Sequence, residues 1–599
     1  MNAEGWTLPE SYEELEEDLF RSTRGSRVFR RLVTDMLSRR KDAALLVTAV
    51  VIAALAGTLY PLALGFAING IVEGSVPLMV LYSLTFLGLY VLIFFSSRIR
   101  TISSTRLAQH SIKSLRDSAF RTLQEVPVDF YGKVKTGYLI SRISNDAESL
   151  SDFLTFQLPQ VVAGISTVVL SIIIMTYLDF GLTLYALIIV PVMMLFTFSI
   201  QGRVRKNYLR TRKTIAAITG SMAENVGAIR AIKSFNVENR TYANFDSLNR
   251  DNLSANMRAA LISSLYGSGI GVMEAAGIAI VIVAGAMQLI SGAISVGLLV
   301  AFIIYVQEFF DPVLQLSQLY NSYQSAAVGL VRIYGIIDNE KEKANTGGSK
   351  VPRNWKAIDF EAVGFSYGEN RALNKVNLSI AEGEKIAVVG HTGAGKTTLS
   401  NLVLRFYSPT EGRITIGGEE LSGMEMRSWR GLVSPVLQDP FLFRGTVMDN
   451  VLFSKPDASA DEIKELAYKY GMGEIFESLP NGLETEVGEM GRNLSEGQRQ
   501  AISVMRAFIR DSPIIVLDEP TSQIDPYSEG VIMQALKSYL SDKTLILITH
   551  RFSMVSLADR IIVLDQGEIV DSGKFSELIE REGVFSELYG LQHPGNTSA

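Results

Sequence analysis

The 599-residue sequence contains no cysteine, and only four histidines and three tryptophans. Without thiols it forms no disulfide, thiolate zinc site or iron–sulfur cluster and has no cysteine nucleophile. A basic excess is also missing: 56 Lys and Arg against 62 Asp and Glu leave a formal net charge of −6, which argues against nucleic acid as a partner. The acidic stretch from Glu10 to Asp18 is followed by no short apolar segment with a small-residue cleavage site. No removable secretory signal is therefore expected.

What is present is unevenly spread. Apolar residues make up 47% of the chain, and in its first half they gather into six runs: Ala43 to Phe66, Pro77 to Phe95, Leu158 to Tyr177, Leu182 to Ile200, Leu261 to Ile290 and about Ile294 to Val313. A helix needs about 20 residues to cross the hydrocarbon of a bilayer, so each run is expected to span one. Seven Lys and Arg between Arg24 and Lys41 precede the first run, nine between Arg98 and Arg142 follow the second, and six between Arg203 and Lys213 follow the fourth. The turns around Glu73, Asp179 and Ser291 carry none. The basic segments are expected in the cytoplasm and those turns outside.

From Arg27 to Arg40, apolar Val28, Leu32, Val33, Met36 and Leu37 alternate with arginines, which suits a helix in the membrane interface or a plain cytoplasmic helix. Segments 96–157 and 201–260 are too long for loops, so the membrane helices are expected to continue into the cytoplasm. Residues 339–354, with Gly347, Gly348, Ser349 and Pro352, read as a linker. Beyond it, short β-branched runs alternate with helical stretches: Ile358 to Phe365, Leu378 to Ile380, Ile386 to Val389, Ile414 to Ile416, Ile514 to Leu517, Leu545 to Ile548 and Ile561 to Leu564. The expected organisation is an acidic extension (1–26), a membrane all-α domain (27–338), the linker (339–354) and an α/β domain (355–592).

Gly390-His391-Thr392-Gly393-Ala394-Gly395-Lys396-Thr397-Thr398 fits G-x-x-x-x-G-K-[ST], between the strand Ile386 to Val389 and a helix predicted from Thr398 to Phe406. Glycines let backbone N–H groups close around phosphate oxygens, and the helix N-terminus adds partial positive charge. Lys396 supplies a cation for the β- and γ-phosphates and Thr397 a hydroxyl for Mg2+. The stretch reads as a nucleotide site. Downstream, the strand Ile514 to Leu517 ends in Asp518 and Glu519, an arrangement that sets one acid on the metal and leaves the next as general base. Leu494-Ser495-Glu496-Gly497-Gln498 opens a helix running to about Arg510, with Ser495 and Gln498 at the spacing of a capping box.

Together these motifs resemble the ATP-binding cassette (ABC) family, whose Leu-Ser-Gly-Gly-Gln signature presses a helix N-terminus against the γ-phosphate of ATP held by the opposite subunit. The resemblance implies that Ser495, Gly497 and Gln498 meet that nucleotide and that Tyr367, in Phe365-Ser366-Tyr367, stacks on adenine. It also implies that Gln438 senses Mg2+ and touches the coupling helices, that Asp525 lies in the loop crossing the dimer, and that His550 contacts the γ-phosphate. Glu496 replaces the first glycine of the signature, and Gln523-Ile524 stand where Ala-Leu is usual. An acid in a first turn stabilises the helix dipole, and Glu496 is expected to point away from the phosphate.

Thr485-Glu486-Val487-Gly488-Glu489-Met490-Gly491 looks like the loop of ABC exporters with fused membrane domains. Pro127 to Tyr131 with Gly137 and Ile140-Ser141-Arg142 resembles the first coupling segment, and Glu224, Gly227, Ile232 to Phe235 and Glu238 resemble the second. The likeness covers nearly the whole chain and implies a type IV exporter half-transporter, six membrane helices fused to one α/β P-loop (RecA-like) cassette. Such a chain sits in the cell or inner membrane, uses ATP and Mg2+, and dimerises with itself or with a different half. Glu274, Glu308 and Asp311, ionisable groups at membrane depth, join Tyr305 as candidate substrate-pathway residues or as helix-packing residues. Acids among aromatics suit hydrophobic cations, so a drug or lipid exporter is expected, with a lipid flippase, one half of a mixed pair and an ATP-gated channel as alternatives.

Overall fold

The computed structural model describes residues 23–339, 348–352, 354–521 and 524–592. The acidic extension and most of the linker lie outside the described residues, as does the side chain of Asp311. The chain divides into two compact units, one of residues 1–124 and 136–339 and one of residues 125–135 and 340–599.

In the first unit five helices among the described residues are long and apolar enough to span a bilayer: Arg40–Val72, Val76–Glu125, Thr136–Leu178, Phe180–Gly227 and Glu238–Ile290. The second has 50 residues and the fifth 53. At 1.5 Å per residue each reaches about 75 Å, well beyond about 30 Å of hydrocarbon, so the expected helical extensions exist.

The sixth apolar run is not one helix. It divides into Val296–Glu308, of 13 residues, and Phe310–Ile337. Pro312 supplies the reason: it has no N–H to offer the Glu308 carbonyl four residues back, and its ring crowds that oxygen. The same spacing separates Pro191 from Leu187, where the fourth helix breaks at Ile188.

Small residues let two of these helices touch. A Cβ on Gly65 would lie 2.4 Å from the Gly297 carbonyl oxygen, and one on Gly297 only 1.8 Å from that of Gly65. Beside them Asn69 Oδ1 accepts from the Gly297 N–H at 2.7 Å and its Nδ2 donates to Ser295 Oγ at 2.9 Å. In the arginine-rich helix Thr23–Ser38, Leu32 is buried while Val33 and Leu37 stay exposed. Its Arg31 pairs with Asp338 at 2.9 Å.

The second unit contains every strand predicted from the sequence. A six-stranded sheet runs Glu568–Gly573, Arg560–Asp565, Lys385–Val389, Thr544–Ile548, Ile514–Asp518, Val433–Val436; only the first is antiparallel to its neighbour. An antiparallel sheet of Asn370–Ala381, Ala357–Tyr367, Glu411–Ile416 and Glu419–Glu420 is the second, and Gly445–Thr446 pairs with Glu486–Val487 as a third, two-stranded sheet. Of the two outer strands of the six-stranded sheet, neither of them predicted, Val433–Val436 contains Pro435, which argues against a strand. It is an edge strand, where a missing N–H costs no ladder bond. Alternating strand residues feed two apolar cores, with Leu517 and Leu547 in one and Val516 and Ile546 in the other. The short helix Val128–Lys133 belongs to this unit, with a Cβ at Gly132 falling 3.7 Å from the Tyr407 hydroxyl.

Candidate nucleotide site

Three neighbouring parallel strands deliver the site. Val388 and Asp518 are both in register with Ile548, which lies between them. The carboxyl ends of Lys385–Val389, Thr544–Ile548 and Ile514–Asp518 therefore open on one edge of the sheet, where ligands of open α/β sheets bind.

The glycine-rich turn leaves the first of these ends. Gly390 has φ +156° and Gly395 φ +101°, and a Cβ would lie 2.0 Å from the Leu564 carbonyl oxygen at Gly390 and 2.6 Å from that of Ala372 at Gly395. Only glycine fits either position. Thr392 and Gly393 are exposed on the rim, and Ala394 is buried beneath. The following helix is Lys396–Val403, starting two residues earlier than predicted and placing Lys396 and Thr397 in its first turn. Lys396 is buried, and its Nζ donates to the carbonyls of Gly390 and His391 at 2.8 Å each. Burial pushes its pKa down, while the charges of Glu519 and Asp518 oppose that shift. Thr397 is exposed and Thr398 buried.

Asp518 is also buried, and burial, followed by the charge of Glu519, raises its pKa to about 6. Its Oδ1 is buried with no hydrogen-bond partner. Glu519 has φ +47°, a left-handed conformation for a residue with a side chain, and its N–H donates to the Ile548 carbonyl at 2.9 Å. Such a conformation is held by its surroundings and marks a candidate functional position. Its Oε2 accepts from Gln438 Nε2 at 2.9 Å and lies 2.8 Å from His550 Nε2. Gln438 and His550, far apart in sequence, thus converge on one Glu519 oxygen.

Tyr367, 40% exposed, ends its strand in an edge-to-face cluster with Phe365 at 4.7 Å and Tyr407 at 5.2 Å. Sequence reasoning missed Tyr407, which carries no motif and reaches Tyr367 only through the fold.

A second neighbourhood forms at the signature helix, Glu496–Arg510. Ser495 caps it: the Ser495 N–H donates to Gln498 Oε1 at 2.9 Å and the Gln498 N–H to Ser495 Oγ at 3.2 Å. A Cβ on Gly497 would lie 2.5 Å from Ser528 Oγ, so this glycine packs on the start of the helix Pro526–Tyr539. Asp525 caps that helix through the N–H groups of Ser528 and Tyr527, which hold its carboxyl below the usual range. Ser522 and Gln523 lie outside the described residues. Glu496 forms an ion pair with Arg499. Sequence reasoning overlooked Arg499, although the acid-to-base i,i+3 spacing signals such a pair.

The membrane candidates separate. The Tyr305 side chain is fully buried and its hydroxyl donates to the Thr58 carbonyl, joining two helices. Glu308 Oε2 accepts from Ser171 Oγ at 3.2 Å, and the Tyr60 hydroxyl also bonds to Glu308. Glu274 is half-buried on Glu238–Ile290.

Residues 44–313 match the ABC transporter transmembrane region and residues 373–522 the ABC transporter family. The chain is 34% identical to the ABC transporter ATP-binding protein YknV of Bacillus subtilis (strain 168), over 84% of each protein. It is 33% identical to a Staphylococcus aureus (strain NCTC 8325 / PS 47) protein named for multidrug export as an ATP-binding/permease protein, over 89% of this chain and 94% of that one. A solved bacterial Atm1-family ABC exporter with ATP bound superposes with a TM-score of 0.76 at 26% identity, covering 92% of this chain and 99% of the other. With spanning helices fused to a phosphate-loop cassette, the chain belongs to the ABC transporter family, as an integral-membrane exporter half-transporter whose cytoplasmic domain is an ATPase coupled to transport.

Proposed function

We propose that the chain pairs with a second half-transporter, by preference a copy of itself, and uses ATP with Mg2+ to move hydrophobic or amphipathic drugs or lipids out of the cytoplasm or inner leaflet. The observation that carries this reading is the convergence of Gln438 and His550 on Glu519, at the strand ends where Lys396 begins its helix. Lys396 exchanges its two carbonyl partners for β- and γ-phosphate oxygens. Glu519 orients and polarises the attacking water as general base, and His550 holds the γ-phosphate end in line with it. Tyr367 offers its exposed ring to adenine. Ser495, Gly497 and Gln498 present a helix N-terminus to the ATP of the other half, with Asp525 beside them at the dimer.

The donors for a metal are Asp518, the Thr397 hydroxyl and the Gln438 side-chain carbonyl. An all-oxygen set suits a hard divalent ion, and the buried, unpartnered Asp518 Oδ1 is the atom that fits one. Mg2+ held there supplies neutralisation of the phosphate oxygens. Closure of two cassettes reaches the membrane helices through residues 125–135, which pack with the nucleotide unit although the chain enters and leaves them through membrane helices.

For the substrate, Glu308 supports a cationic amphiphile. A carboxylate at membrane depth faces a cavity or a partner, and here Ser171 and Tyr60 hold it. The bond from Tyr305 to Thr58 favours a packing role for that residue. The test is reconstitution in liposomes, following ATP-dependent accumulation of cationic dyes and of labelled lipids. Uphill accumulation that disappears in Glu519→Gln is expected; downhill flux that persists in that variant when ATP binds would indicate a channel.

A further inference from the structure

The signature carries an acid where its helix must receive an anion. Glu496 is the first residue of Glu496–Arg510, and the positive end of the helix dipole is confined to that turn. A carboxylate free to swing over the N-terminus would place a negative charge in the path of a triphosphate. The structure removes it from that path. Arg499, one turn further along, pairs with Glu496, and both side chains are about three-quarters buried, at 27% and 25% exposure.

The preceding loop packs against the arginine. Met490 and Gly491 are consecutive left-handed residues, with φ +55° and φ +69°, and they turn the chain into the signature. A Cβ on Gly491 would lie 2.9 Å from Leu442 Cδ1 and 3.2 Å from Arg499 Cδ, so the missing side chain leaves room for that leucine and for the arginine stem. The loop is itself tied down: Asn493 accepts from the Gly488 N–H at 2.8 Å and donates to the Glu486 carbonyl at 2.8 Å. Loop, arginine and acid form one assembly whose product is a clear helix N-terminus.

We propose that Arg499 is a positioning residue for ATP turnover, holding the Glu496 carboxylate back along its own helix so that Ser495, Gly497 and Gln498 face the γ-phosphate unopposed. The proposal rests on the reading above that this helix meets the nucleotide held by the other half. It makes Glu496 tolerable only in the presence of Arg499. A signature with glycine in that place has no need of the clamp.

The experiment is a double-mutant cycle on the purified full-length protein, with steady-state ATP hydrolysis measured for the parent, Arg499→Gln, Glu496→Gly and the double variant. Arg499→Gln is expected to lower kcat/KM for ATP by about tenfold or more, mainly through KM, because a like charge is released toward the ligand. In the Glu496→Gly background the same substitution should change kcat/KM by less than about threefold. Arg499→Lys, which keeps the charge, should retain most of the parent activity. An equal loss from Arg499→Gln in both backgrounds would overturn the proposal, since it would mean that Arg499 acts through packing. Ser495→Ala tests the underlying reading separately: full activity in that variant would show that the helix does not meet ATP, whatever the cycle gives.

Discussion

In the membrane unit many Leu, Val and Ile side chains turn outward; in the nucleotide unit most of the same residue types turn inward. Leu84, Phe94, Leu195 and Ile290 are among many large apolar side chains left exposed along the spanning helices, whereas Val388, Val516 and Ile546 are fully buried between layers of the cassette. Lipid-facing residues need only be apolar, so their order carries little information about neighbours. A buried strand must match its register, its two faces and its ends, so its order carries much. For this reason chemistry was readable in the second half of the chain and little more than span and orientation in the first.

The comparison breaks most readily at the strand ends. Glu519→Gln should keep ATP binding while slowing hydrolysis by about 100-fold or more, the usual scale for loss of a positioned base; phosphate release checks the rate and nucleotide binding the retention. Normal turnover would remove Glu519 from the mechanism. Lys396→Ala should weaken ATP binding itself by at least about tenfold, through loss of a charge-assisted contact to phosphate, as read by fluorescent-nucleotide titration.

In the membrane unit the largest effect is expected where two backbones meet. Gly297→Ala forces a Cβ into the Gly65 carbonyl, an overpacking that should cost about 1–3 kcal/mol and lower the unfolding temperature in detergent without changing nucleotide affinity. Tyr305→Phe removes one interhelical hydrogen bond and should cost about 1 kcal/mol or less. Glu308→Gln sharpens the comparison further: export of cationic dyes should fall more than export of neutral lipids. Equal effects on both would assign Glu308 to packing.

Much of the site was legible because its parts are local. A glycine-rich turn between strand and helix, two acids ending a strand and a capping box each need only a few consecutive residues, and all of them stand where the sequence placed them. Several fold features were not read, among them the outer strand Glu568–Gly573. The edge strand Val433–Val436 hides behind Pro435, acceptable only because one side of that strand is unpaired. The sixth apolar run is interrupted because Pro312 acts on a carbonyl four residues back, an effect that hydropathy does not register.

The sequence alone determined five of the six expected membrane spans, the α/β cassette, the phosphate loop and the order of its companion motifs, because these follow from hydrophobic period and from local backbone geometry. Only the tertiary structure decided that Gln438 and His550 meet on Glu519, that Tyr407 braces Tyr367, that Ser171 and Tyr60 hold Glu308, and that Arg499 restrains Glu496 beneath the turn at Gly491. The first three join residues brought together by strand order or helix packing, which no short window of sequence records; the last pair is local in sequence, and the structure adds that Gly491, lacking a side chain, leaves room for the arginine stem.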